Sequence, residues 1–386
     1  MMVRQWLRFG GPLLLLAALA GLVLKGGTLS SLRSDVPPVE ELTVERVRLA
    51  PGSIAVRLVN GGVDPVVVAQ VMVDDAYWTH TITPARTIAR LGSATVTIPY
   101  PWVAGEAHHL RFVSSNGVTF DHEIAVAATS PTPDAGYFFA FTLVGLYVGV
   151  LPVAIGILWL PFLKRLDRRW VHFALALTGG LLVFLAVEAL HEGLESAAAV
   201  AGAFQGTGLV ALATLGSWLL LQAFGGVRPE GPPTASSRLR LAFLIALGIG
   251  LHNLGEGLAI GAAYAQGAVT LGAFLIVGFM IHNTTEGLGI VAPVAQDSPR
   301  PRQLALAGLI AGAPTIVGAW LGGVAYSPLL ATVFMGVGAG AILQVVGVLY
   351  RVVARETDGR LWTPLNSLGV AAGLVVMYGT GLLVAG

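Results

Sequence analysis

Two segments thirty residues apart carry one pattern: His252-Asn253-Leu254-Gly255-Glu256-Gly257-Leu258-Ala259-Ile260 and His282-Asn283-Thr284-Thr285-Glu286-Gly287-Leu288-Gly289-Ile290 both read HNxxEGLxI. On a helix, His and Glu at i and i+4 lie on one face with the Asn beside them. Each segment therefore sends an imidazole, an amide and a carboxylate sideways from adjacent turns. Such groups suit a divalent transition metal. The chain has no cysteine, so thiolate is excluded from any metal site and disulfides from any exported part.

The elements that must carry these groups are membrane helices. Of the 386 residues 55% are hydrophobic and 11% charged, a balance that excludes an ordinary water-soluble domain, and the fifty glycines suit closely packed helices in lipid. The net charge of +1 leaves no nucleic-acid footprint. Apolar stretches long enough to span a bilayer fall at 137–162, 171–194, 205–225, 241–264, 268–294, 303–325, 328–350 and 363–385, which predicts eight spans. The motifs sit in spans four and five, which run in opposite directions. Each His lies about 12 to 15 residues from its helix start, roughly 18 to 22 Å deep at the rise of a helix, so both triads reach the bilayer middle. Ionisable groups there cost about 2.5 to 3.5 kcal/mol each on insertion scales. A divalent cation offsets that cost by engaging both carboxylates, with imidazole and amide oxygen completing its shell. The bland alternative is two hydrogen-bonded clusters that merely hold helices together. Duplication of the triad at matched depth argues for the cation.

Ahead of the spans, residues 1–26 hold an apolar run from Phe9 to Leu24 after Arg4 and Arg8, a signal peptide or an uncleaved anchor helix. Residues 27–135 open with a linker through Ser30, Ser31, Pro37 and Pro38. They continue as short Val-, Ile- and Thr-rich stretches of period two at 42–49, 53–59, 66–73, 94–98, 109–113 and 120–126, which predicts a small β-sandwich. A second linker, Ser130 to Asp134, leads into residues 136–386. Basic residues cluster in alternate connections: Lys164, Arg165, Arg168 and Arg169; Arg228, Arg238 and Arg240; Arg300 and Arg302; Arg351, Arg355 and Arg360. By the positive-inside rule these are cytoplasmic, which puts the β domain and the C-terminus outside a cell (inner) membrane.

Other polar residues could serve the same chemistry. Glu188, His191, Glu192 and Glu195 recur at helical spacing near the outer end of span two, either as an entry that concentrates cations or as a solvated helix end. Gln344 in span seven reads as a helix–helix hydrogen bond. In the β domain, His108, His109, Asp121 and His122 read as solvated strand residues, and Trp78, Tyr100 and Trp102 as either core or partner-facing; no chemistry is assigned there.

The paired motifs resemble spans four and five of the ZIP family of metal-ion transporters, whose usual form is HNxPEG. The similarity extends over about 137–386 and leaves out the β domain. It implies an eight-span 3+2+3 helix bundle in which the first and last three spans are inverted repeats around spans four and five, with transport by alternating access. It further implies that His252, Glu256, His282 and Glu286 form a first metal site, that Glu256 and Glu286 bridge to a second, and that Asn253 and Asn283 face that second site. Gly255 and Thr285 stand at the family's proline positions, and Ala313 precedes Pro314 where the family often has an acidic residue, so one dominant ion is expected. The function so implied is transport of a divalent transition metal into the cytoplasm, with zinc first and Fe, Mn, Co or Cd as the others. The metal is substrate, and no catalytic cofactor is expected. A pH dependence is expected too, because metal arrival expels protons from the empty site. The rival readings are an intramembrane metal-dependent hydrolase and a non-transporting metal sensor. The partners expected are the ion and the lipid bilayer, with a homodimer and an extracytoplasmic partner for the β domain left open.

Overall fold

The computed structural model describes residues 11, 14–22, 39–224, 234–265, 269–357 and 359–382. Residues 14–22 are helical and belong to a unit of their own, Met1–Val39. The N-terminal arginines, the first linker, Arg228 and the last residues of the eighth predicted span lie outside the described residues.

Residues 40–386 form one unit that begins with nine strands. Two antiparallel sheets face each other, one in the order β1 (Leu42–Ala50), β2 (Ser53–Asn60), β7 (Ser93–Ile98), β5 (Thr81–Thr83). The other runs β4 (Ala76–Tyr77), β3 (Val66–Val73), β8 (His108–Ser114), β9 (Thr119–Ile124), with β6 (Thr87–Ile88) also on β3. Alternation makes the core: Ile54, Val56 and Leu58 of β2 are buried while Arg57 between them is exposed. In β3 the buried set shifts from Val66 and Val68 to Val71 and Val73. A register shift between Val68 and Gln70 supplies the extra residue that changes the phase. The six expected stretches are all strands, and the three two- or three-residue strands are too short to show a period. Trp78, Tyr100 and Trp102 pack against the β core. His108 corrects the expectation of a solvated residue: it is 4% exposed, with Nδ1 2.8 Å from Asp74.

Among the described residues seven helices are long and apolar enough to cross a membrane. They are span one (Ala135–Leu163), two (Arg168–Ala198), three (Gly202–Ala223), four (Ala235–Ala265), five (Leu271–Val294), six (Pro301–Ala325) and seven (Pro328–Arg355). The eighth predicted span is also a helix, Pro364–Gly381, shorter at 18 residues and opening with the polar Asn366 and Ser367. Spans four and five run unbroken through their motifs, as expected where Gly255 and Thr285 replace prolines. The irregularities lie in the flanking spans. Span one turns π-helical over Leu146–Val150, just before Pro152, and span six is interrupted at Ala313 before Pro314.

The spans associate in two groups, one, four, five and six against two, three, seven and eight. Within each group glycines bring backbones together. A Cβ at Gly149 of span one would strike the Gly312 carbonyl of span six, and one at Gly180 of span two the Val370 carbonyl of span eight. Where the groups meet, Val345 and Met335 of span seven lie against Gly248 and Gly255 of span four.

Candidate metal centre

The glycine after each carboxylate decides where the motif helices pack. Gly257 lies against the Thr315 carbonyl of span six, and Gly287 against the Val153 carbonyl and Gly156 of span one, so any side chain there would push the flanking span away. Each motif helix is thus clasped by one irregular span, which turns its His, Asn and Glu towards the other motif helix.

The geometry brings the six motif residues together, and all are between 0 and 4% exposed. One oxygen of Glu256, Oε1, lies between both imidazoles: Nε2 of His252 is 3.4 Å away and Nε2 of His282 is in direct hydrogen-bond contact. Ligand atoms of His252, Glu256 and His282 all lie within 4.8 Å of one another. The second Glu256 oxygen accepts from Asn283 Nδ2 at 3.0 Å, and Glu286 Oε2 accepts from Asn253 Nδ2 at 3.3 Å. Glu286 stands beside the imidazole and carboxylate trio, joined to it through that exchange of amide and carboxylate.

Each amide also reaches a flanking backbone. Asn283 donates to the Val148 carbonyl of span one at 3.0 Å, and Asn253 to the Ala311 carbonyl of span six at 3.1 Å. Pro152 has no N–H, so the Val148 carbonyl lacks its ordinary helical donor four residues on and is open to the side chain. The two halves are related as inverted repeats would be: the amide of each motif helix holds the other helix's carboxylate and the irregular backbone of one flanking span. These two carbonyls were not among the expected site groups. Pro152 and Pro314, near the middle of apolar stretches, are the sequence signal for them.

Several buried polar atoms remain without a hydrogen-bond partner: both ring nitrogens of His252, Oδ1 of Asn253 and of Asn283, and Oε1 of Glu286. Unpaired polar atoms are rare in protein interiors and costly. Here five of them belong to the motif residues.

The four expected entry residues divide. Glu192 interacts electrostatically with His252, His282 and Glu256, and Glu188 with His282 and Glu286, so both belong to the surroundings of the centre. His191 and Glu195 pair with each other at 3.1 Å, about 70% exposed. Gln344 is buried with Oε1 unpartnered. Of the β-domain residues, His109 and Arg111 both reach Asp121, on the exposed face of the sheet.

The sequence model of the family described as ZIP Zinc transporter matches residues 196–381. That segment contains both motifs and spans three to eight, and leaves out the β domain, span one and most of span two. A curated relative, the protein named Zinc transporter ZupT from Akkermansia muciniphila, is 32% identical over 154 residues, which cover 35% of this chain and 55% of that relative. The chain therefore spans about half the length of the curated relative it matches. Both motifs lie inside the matched segment and face each other in the fold, so residues 196–381 of the helix bundle are similar to the ZIP family.

Proposed function

We propose that the chain carries a divalent transition-metal cation, zinc first, across a membrane into the cytoplasm, through the centre formed by His252, Asn253, Glu256, His282, Asn283 and Glu286. One observation carries this reading: ligand atoms of His252 and Glu256 on one helix and of His282 on the antiparallel one lie within 4.8 Å of one another, and His252, Asn253, Asn283 and Glu286 each keep a buried polar atom without a hydrogen-bond partner. A doubly charged substrate gives such atoms a partner, one nitrogen of each imidazole included, and so offsets part of the cost of their burial. Two imidazoles and two carboxylates bind zinc well enough to strip its water, and amide oxygens add ligands weak enough to let it leave.

The inverted pairing of spans one and six about spans four and five supports alternating access, in which the same centre is exposed first to one side and then to the other. Glu188 and Glu192 extend the acidic surroundings of the centre along span two and make an approach for a cation. His191 and Glu195 face away, and this reading gives them no part. The alternating basic connections support an orientation with the β domain outside.

The test is zinc uptake by proteoliposomes. Glu256→Ala is expected to lower uptake at least about 100-fold and Glu286→Ala about tenfold or more, since the first removes the group that touches both imidazoles. Uptake by Glu256→Ala at the parental rate would overturn the assignment.

A further inference from the structure

The first strand of the β domain meets the helices through a small set of charged side chains. A register shift between Val44 and Arg46 sets Arg46 and Arg48 on one side of β1. The Arg46 guanidinium donates to the Tyr326 carbonyl at 3.0 and 2.6 Å and to the Val324 carbonyl at 2.9 Å, and Arg48 donates to the Val324 carbonyl at 3.0 Å. These carbonyls close span six, where helical C=O groups lack partners and the helix dipole is negative, so a cation is the fitting cap. The second anchor is Glu41, immediately before β1. Its Oε1 accepts from the Gly202 N–H at 2.6 Å, at the very start of span three.

The two anchors therefore hold different helix groups. Span six belongs with spans one, four and five, and spans two and three belong with seven and eight. Span six in turn packs on span four, which bears His252 and Glu256: Gly318 lies against the Leu254 carbonyl and Gly257 against the Thr315 carbonyl. Beneath β1 a cavity of about 420 Å³ has Arg46 and His122 in its wall and Ala262, Ala265 and Gly322 of spans four and six at the helix side.

We propose that β1 is a latch between the two helix groups, with Arg46 and Glu41 as positioning residues that restrain opening of the β-domain end of the cation route. The latch acts through span six on span four. It rests on the transport reading for its effect on uptake, and its effect on access to the cavity is independent of that reading.

Absence of cysteine makes the test direct. Ala265→Cys is introduced into the full chain in proteoliposomes, with Ala104→Cys on the exposed face of the β domain as a control, and modification by a membrane-impermeant maleimide is timed. Adding Arg46→Ala removes all three hydrogen bonds of that guanidinium while Arg48 keeps its own, and is expected to speed modification at position 265 about tenfold or more and to leave position 104 unchanged. Arg46→Lys, a single point donor, is expected to restore part of the protection. Without the introduced cysteines, Arg46→Ala is expected to raise the maximal zinc uptake rate and leave the half-saturating zinc concentration unchanged. Should Arg46→Ala fail to fold, Arg48→Ala and Glu41→Ala each release one side of the latch and are expected to give smaller changes of the same sign. Unchanged modification at position 265 in all of these variants overturns the latch. Faster modification in a chain that takes up no zinc supports the latch and sinks the transport reading.

Discussion

At the residue scale amides tie the candidate centre together, each holding a carboxylate and a flanking carbonyl. Asn283 Nδ2 holds Glu256 and the Val148 carbonyl together, so Asn283→Ala frees the carboxylate and strands a carbonyl. Loss of such a supporting hydrogen bond is expected to weaken zinc binding about 10- to 100-fold, read by calorimetry on purified protein. A second network lies in the β domain. Burial alone would raise the Asp74 carboxyl, but hydrogen bonds from the His109 N–H, the Tyr100 hydroxyl and the His108 ring outweigh it and hold Asp74 below the ordinary carboxylate value. Tyr100 is pushed up to about 12, by burial and then by Asp74. Because the folded value of Asp74 lies below its unfolded one, this group stabilises the fold above the unfolded value of about 3.9 and loses that contribution as pH falls through the folded value. Asp74→Asn is expected to lower the melting temperature at neutral pH and to flatten its fall in acid, measured by circular dichroism across pH in detergent.

At the scale of elements, the motif helices are straight and their neighbours are not. Spans one and six cross where Gly149 and Gly312 allow backbone contact, and the irregular turns beside Pro152 and Pro314 supply carbonyls to the centre. A methyl group at Gly149 would meet Gly312 and Thr315, so Gly149→Ala is expected to destabilise the bundle by about 1 to 3 kcal/mol. Gly379→Ala, with open space around it, is the silent comparison in the same thermal melt. Clasping of each motif helix by one irregular span explains why the glycine after each Glu recurs with the rest of the pattern.

For the whole molecule, the basic residues of alternate connections and the β domain lie at opposite ends of the spans. At the basic end Arg238 and Asp297 form a two-pronged pair at 2.6 and 2.8 Å, tying the start of span four to the connection after span five. The orientation we propose puts this end in the cytoplasm. Ser298→Cys is then expected to react only from the cytoplasmic side and Ser115→Cys, in the turn between β8 and β9, only from outside, as read by impermeant thiol labelling of intact cells and inverted vesicles. Neither residue is buried.

Periodicity made the bundle and the β-sandwich readable from residues alone, because a side chain's burial repeats every two residues in a strand and an apolar stretch of about 20 spans a bilayer. The six longer strands needed nothing more, and HNxxEGLxI names its own face of a helix. Three things awaited the fold. His108 and the outer residues of span two were placed by neighbours distant in sequence, Asp74 for the one and the motif helices for Glu188 and Glu192. The carbonyls of Val148 and Ala311 became part of the centre only when backbone made irregular beside a proline met an amide from another span. The grip of Arg46 on span six joins residues about 280 positions apart, and such a contact leaves no local pattern because only the packing of two domains brings its partners together.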